Sequence, residues 1–110
     1  MTGVRPLHTH RMNEPLMDTA YSLARQHYKA AAQAVFLGLD SQFSSAGFDT
    51  VHHAAERAMQ LHLAVLDFAR KVWAGSFPYE KAEERLRTQF SDFPASTCQR
   101  AFSDAYTETR

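Results

Sequence analysis

Between Asp49 and Gly75 the chain reads DTVHHAAERAMQLHLAVLDFARKVWAG, and no other stretch restricts the fold as strongly. Val51, Ala55, Ala58, His62, Val65, Ala69 and Val72 advance by fours and threes, which stacks them on one stripe of an α-helix. Ala54, Ala58, Leu61, Val65, Phe68 and Val72 make a second stripe, and Met59, Leu63, Leu66 and Trp73 a third. A helix covered by one neighbour keeps a broad polar face, yet between Leu61 and Phe68 only His62 and Asp67 are polar. The stretch is therefore expected to be a central helix buried on most sides, capped by Asp49 and closed by Gly75. Its neighbours must come from this chain or from another.

Upstream, Met17, Tyr21, Ala24, Tyr28, Ala31, Val35, Leu39 and Phe43 keep helical spacing, with Asp18, Ser22, Arg25, Lys29, Gln33 and Asp40 on the other side. This predicts one amphipathic helix of about seven turns, capped by Asn13 with Pro15 in its first turn. Gly38 marks either a bend or a close helix approach, and Ser44, Ser45 and Gly47 end the helix. Residues 1–12 hold only scattered apolar side chains and are expected to form a flexible N-terminal arm, leaving 13–110 as a single helical domain.

Downstream, Ser76-Phe77-Pro78 predicts the start of a third helix with Tyr79, Ala82, Leu86 and Phe90 inward and a charged opposite face in which Glu83 and Arg87 pair. Asp92-Phe93-Pro94 breaks the chain. Ser96 and Gln99 have capping-box spacing for a short last helix with Cys98, Ala101, Phe102, Ala105 and Tyr106 inward, frayed from Thr107 onward. The expected fold is all-α: a long antiparallel helical hairpin plus two short C-terminal helices, bundle-like. With the turn centred on Gly47, positions summing to about 94 lie side by side. That register sets His62 beside Ala32 and His27 beside Asp67, with Asp67 pointing to water as the alternative.

Twelve basic and twelve acidic residues cancel, so no global field draws the protein to nucleic acid, and no local basic patch replaces it. The lone cysteine, Cys98, excludes an intramolecular disulfide and a cysteine-built zinc site. No run approaches the eighteen or so apolar residues of a membrane span, the first residues lack the apolar core of a signal peptide, and a cytoplasmic location is expected.

Chemistry-bearing patterns are sparse. His52 and Glu56 stand one turn apart, as in iron-carboxylate bundles, but such bundles draw ligands from several helices. Here the pair reads as solvated, and His8 and His10 as solvated on the arm. His62 interrupts the apolar seam, either as a core histidine or as a residue that fixes register and partner choice. No G-x-S-x-G turn or phosphate-binding glycine loop is present, and Cys98 reads as a buried structural thiol. No catalytic residue, cofactor or metal is expected, and the protein is not expected to be an enzyme.

The segment from Phe48 to Val72 resembles a helix of the phasins, small helical proteins that coat polyhydroxyalkanoate granules. Glu56-Arg57-Ala58-Met59-Gln60-Leu61-His62-Leu63-Ala64-Val65 carries the likeness, with His62 where asparagine is usual. The resemblance covers about a quarter of the chain and implies an oligomeric, non-catalytic protein whose amphipathic helices cover an apolar surface such as a granule. From the residues themselves, the expected function is a non-enzymatic interaction protein that forms a homo-oligomer, a dimer first, or binds a protein partner. Met17, Tyr21, Tyr28, Phe36, Phe43, Met59, His62 and Trp73 are the candidate interface anchors. The competing expectation is a small inhibitor or immunity-type regulator that occludes a larger protein.

Overall fold

The computed structural model describes residues 5–26 and 32–109, with side chains described for 14–26 and 34–109. Five helices follow one another: α1 (Arg5–Gln26), α2 (Ala32–Phe43), α3 (Phe48–Trp73), α4 (Tyr79–Gln89) and α5 (Ala95–Glu108), with a 3₁₀ turn at Ser44–Ala46. The described residues contain no strand, so the fold is all-α.

The single long first helix is replaced by α1 and α2, which pack against each other. A Cβ placed on Gly38 would lie 3.1 Å from Leu23 Cδ1, whereas fifteen residues of unbroken helix would separate the two by about 22 Å. The chain therefore doubles back. Periodicity misses this because both helices turn apolar faces to the same core, so their spacing stays in phase across the gap. Gly38 is the close approach, its missing side chain admitting Leu23. His27, Tyr28 and Ala31 lie outside the described residues. α1 also starts earlier than expected, at Arg5, and carries Pro15 in its interior instead of its first turn. Residues 1–4 of the expected arm lie outside the described residues.

Contacts between the helices fix their directions. Asp18 meets Thr97 and Arg100, and Arg25 meets Asp104 and Glu108, so α1 and α5 run parallel. Arg57 meets Asp92 just before α5, and Trp73 stacks on Tyr106 near its end, so α3 and α5 run parallel too. Tyr79 at the start of α4 packs on Phe102 and Tyr106, while Phe90 at its end lies under Arg57, which makes α4 antiparallel to α3. Phe36 touching Phe48 and His52 turns α2 antiparallel to α3 across the short Gly47 connection.

α3 packs against all four other helices, as a central helix must. The backbone spans 47 × 35 × 16 Å, and with helix axes about 8–10 Å apart the thin dimension holds only two layers. One side of α3 is therefore covered and the other is not. Val51, Ala54, Ala55, Ala58, Leu61, His62, Val65 and Ala69 are buried, and Phe68 and Val72 partly so, which accounts for the first two stripes. Burial on most sides is not what forms: the third stripe faces outward, with Met59 and Leu66 half-buried and Leu63 and Trp73 exposed.

The helix ends correct several local expectations. Gly75 closes α3 at φ 78°, with Ser76 N–H bonded to the Lys71 carbonyl and Gly75 N–H to that of Val72, a Schellman end. Asp49 does not cap α3. Gly47 holds that position at φ 96°, and Asp49 lies inside the first turn, where its charge still suits the helix dipole. Ser76 bonds back to Lys71 through its hydroxyl, so α4 starts from Pro78 without a side-chain cap. α5 likewise starts from Pro94, and Ser96 and Gln99 are exposed without forming a capping box. At both junctions the N-cap position is taken by a proline, which has no side-chain acceptor to offer and whose fixed φ suits the extended entry to the helix. α5 continues to Glu108, with Thr107 and Thr109 hydroxyls bonded to the carbonyls of Ser103 and Ala105, instead of fraying at Thr107.

Candidate interaction surface

The eight sequence candidates separate by depth. Met17, Tyr21 and His62 lie in the core. Phe43 and Met59 are half-buried against it, and Phe36 sits at its rim. Trp73 is 44% exposed, and Tyr28 lies outside the described residues. Trp73 stacks on Tyr106 with ring centroids 4.4 Å apart and donates its indole N–H to the Tyr106 carbonyl at 2.7 Å. That bond serves one of the carbonyls in the last turn of α5, which have no partner within the helix.

Among the described residues, the large apolar side chains most open to water are Leu37, Phe48, Leu63 and Trp73. Leu63, 59% exposed, stands midway along α3 between half-buried Met59 and Leu66. Trp73 ends the same stripe, stacked on Tyr106, while Leu37 and Phe48 lie elsewhere. Phe48, 64% exposed, stacks on His52 at 5.6 Å and meets Phe36 edge-on at 5.1 Å, with Leu37 next to Phe36 in sequence. The structure thus offers an outward strip on α3 and an aromatic corner where α2 turns into α3. Leu63 was visible as part of the third stripe. Phe48 carries no such signal in the sequence, because a cap at Asp49 leaves it outside the expected helix.

Beside the apolar strip, Asp67 is exposed and pairs with Lys71 at 3.0 Å, one turn along α3. The water-facing reading of Asp67 holds, and the His27 half of the alternative lies outside the described residues. His52 and Glu56 are both exposed and 3.8 Å apart. Among the described residues no group of three or more His, Cys, Asp or Glu side chains is placed to hold a metal ion, and no helix is long and apolar enough to cross a membrane.

A shallow cleft of about 490 Å³ runs between α1 and α5, lined by Tyr21, Ser22, Arg25, Gln26, Arg100 and Asp104. Its guanidinium groups are already engaged. Arg25 binds Asp104 and Glu108, and Arg100 binds Asp18 at 2.8 Å. The buried Thr97 hydroxyl donates to the same Asp18 oxygen at 2.8 Å. Burial pushes the Tyr21 phenol above its ordinary pKa against the opposing charge of Arg25, so it stays neutral at the floor of the cleft. The arrangement is a polar strap that holds two parallel helices side by side. Nearby, burial holds His62 below the usual histidine pKa, with Glu108 opposing and Arg25 reinforcing the shift. His62 is therefore neutral at pH 7. Burial also pushes the Cys98 thiol up to about 11, and it donates to the Phe90 carbonyl.

No protein-family model matches the chain, and no curated protein or solved structure shows significant similarity to it.

Proposed function

We propose that this protein is a non-enzymatic helical interaction protein that associates with itself or covers an apolar surface through the outward face of α3. The observation that carries the reading is Leu63, 59% exposed at the middle of the central helix and flanked along one strip by Met59 and Leu66. Single exposed leucines are ordinary on protein surfaces, whereas a contiguous apolar strip on the best-packed helix is a recurrent mark of an interface. The phasin resemblance points the same way, toward an oligomer that coats an apolar granule. The polar strap between α1 and α5 supports the non-catalytic part of the reading, because its charged groups are engaged with one another.

Sedimentation of the full chain over a wide concentration range tests this. A mass rising above the 12.5 kDa of one chain, or adsorption to polyhydroxyalkanoate granules, is the expected result. A chain that stays monomeric and ignores granules overturns the proposal.

A second reading, a small inhibitor or immunity-type regulator, draws on the aromatic corner. Phe48, Phe36, His52 and Leu37 make a compact patch separate from the α3 strip, of the aromatic-rich kind that anchors protein partners. A monomer that co-purifies with one specific protein, and loses it on Phe48→Ala, favours this reading over the first.

A further inference from the structure

We infer that the occupant of the α3 strip is a second copy of the same chain, its α3 lying antiparallel across the first about a two-fold axis at Leu63. The inference rests on the self-association reading above and specifies the surface, the direction and the register. Its basis is the charge pattern on the strip. Glu56 and Arg70 stand seven residues before and after Leu63, and all three are exposed. Seven residues return a helix to within about 20° of the same line, so the three side chains share one stripe, with each charge about 10 Å from the leucine.

Two-fold symmetry makes the interface self-complementary: whatever one copy presents above the axis meets what the other presents below it. An antiparallel pair centred on Leu63 therefore sets each Glu56 against the partner's Arg70, twice over. Met59 and Leu66, half-buried beside Leu63, supply apolar contact on either side of the axis. A parallel pair would instead oppose Glu56 to Glu56 and Arg70 to Arg70. The charge order thus selects one direction and penalises the other, as charged flanks of paired helices commonly do.

Among the described residues neither charge is held by a side chain of another helix. Glu56 has His52 at 3.8 Å, both exposed. Arg70 makes no ion pair among the described residues, in contrast to Arg25, Arg57, Arg87 and Arg100, which all do. Asp67, the other acid near the middle of the strip, is paired with Lys71 at 3.0 Å and leaves Arg70 available.

The test uses the full chain and four variants in sedimentation equilibrium, with circular dichroism to establish that each is folded. Leu63→Glu introduces two facing charges at the axis, at a position exposed enough to leave the monomer intact, and is expected to give a monomer where the wild type dimerises. Glu56→Arg alone and Arg70→Glu alone each replace two attractive pairs by two repulsive ones, and each is expected to weaken dimerisation about tenfold or more. The double variant Glu56→Arg/Arg70→Glu restores opposite charges and is expected to recover wild-type association. The two single variants, mixed in equal amounts, are expected to form a mixed dimer, since one then carries only positive and the other only negative charges on the strip.

The outcomes separate the two levels of the argument. A wild type that is monomeric throughout but adsorbs to granules assigns the strip to an apolar surface and overturns the dimer. A Leu63→Glu variant that still dimerises leaves self-association standing but overturns this surface. Single charge reversals that do not weaken the dimer, or a double reversal that does not recover it, overturn the antiparallel register.

Discussion

Removing the Arg57 guanidinium should cost more than any other substitution of a surface-reaching charge in this fold, because one side chain closes α3 onto the α4–α5 junction through four contacts and makes a fifth along α3 itself. Its Nε and Nη2 bind the two Asp92 oxygens at 2.9 and 3.0 Å. Nη2 also donates to the Gln89 carbonyl at 3.0 Å and Nη1 to Gln60 at 2.8 Å, and the guanidinium carbon lies 4.6 Å from the centre of the Phe90 ring. Gln89 is the last residue of α4, so the cation also neutralises a helix C-terminus. The side chains of Arg57 and Asp92 are 23% and 35% exposed, which places the pair between a screened surface contact and a buried one.

A bidentate pair so placed is worth about 1.5 kcal/mol, discounted from the range for charge-assisted bonds because water still reaches the carboxylate. The carbonyl bond and the ring contact add about 0.5 kcal/mol each. Arg57→Ala should therefore destabilise by about 2.5 kcal/mol, a fall of about 10 °C in melting temperature for a domain this size. Arg57→Lys keeps a charge but loses the fork and should fall about half as far. Burial raises the Asp92 pKa while hydrogen bonds and charge from Arg57 lower it, and the net shift is downward from 3.8. A depressed carboxylate contributes stability above its unfolded pKa and loses it as the pH falls through the folded value. The gap between wild type and Arg57→Ala should accordingly narrow below about pH 3.8. Thermal and urea unfolding of the wild type, Arg57→Ala, Asp92→Asn and the double variant provide the assay. A loss under about 0.5 kcal/mol for Arg57→Ala, or strict additivity of the two substitutions, would refute the clasp.

Three further outcomes follow from burial. Val65, 1% exposed at the crossing of both buried stripes, should not tolerate Val65→Asp: an unpaired buried charge takes up most of the roughly 5–15 kcal/mol available to a small domain, and a variant with wild-type helicity and melting would contradict this. Cys98, with its pKa near 11, is about one part in a thousand thiolate at pH 8. A disulfide reagent should leave it unmodified in the native protein and label one equivalent in denaturant, and fast native labelling would contradict its burial. His62 has a folded pKa below 6.5, so the unfolded chain takes up a proton first as the pH drops. Stability should fall from about pH 6.5 downward, by at most about 1.4 kcal/mol per unit, and His62→Leu should flatten that slope in urea unfolding. An unchanged slope would place the titration elsewhere.

Helix content and inward faces were legible because both follow from spacing alone. Val51 through Val65 on α3, Leu86 and Phe90 around α4, and Cys98 through Phe102 on α5 are buried where their periodicity puts them. The reversal between α1 and α2 was not legible, since two amphipathic helices folded against one core keep the same phase as a single long one. Capping was misread for a different reason. Asp49, Ser76 and Ser96 have the right chemistry for caps, but Gly47, Pro78 and Pro94 already satisfy the backbone geometry at those entries. The candidate surface was half legible: Leu63 appears in the third stripe, while nothing in the sequence says which of three apolar stripes a two-layer arrangement leaves uncovered. Cross-helix polar straps such as Asp18–Thr97–Arg100 were wholly illegible, because their partners lie about eighty positions apart.

Those straps bear on why the α3 strip is apolar. Where this chain closes its own seams it adds charge to the packing: Arg57 to Asp92 at one end of α3, and Asp18 and Arg25 to α5 across the cleft. Polar clasps of that kind set register, since each long side chain reaches its partner in only one alignment of the helices. Among the described residues the outer face of α3 carries no clasp to another helix from Leu63, Leu66 or Arg70, and its polar contacts, His52 with Glu56 and Lys71 with Asp67, run along α3 itself. A face left to water gains nothing in stability from leucine or methionine over lysine or glutamate, which form helices about as well. Met59 and Leu66 already pack in part against the core, whereas Leu63, 59% exposed, adds stability only when something covers it, and Arg70, about four turns along α3 from an exposed Glu56, gains an ion-pair partner only then. The proposed association accounts for this division of labour between clasped inner seams and an outer face with no such clasp among the described residues, and a face built only for solvation would lack it.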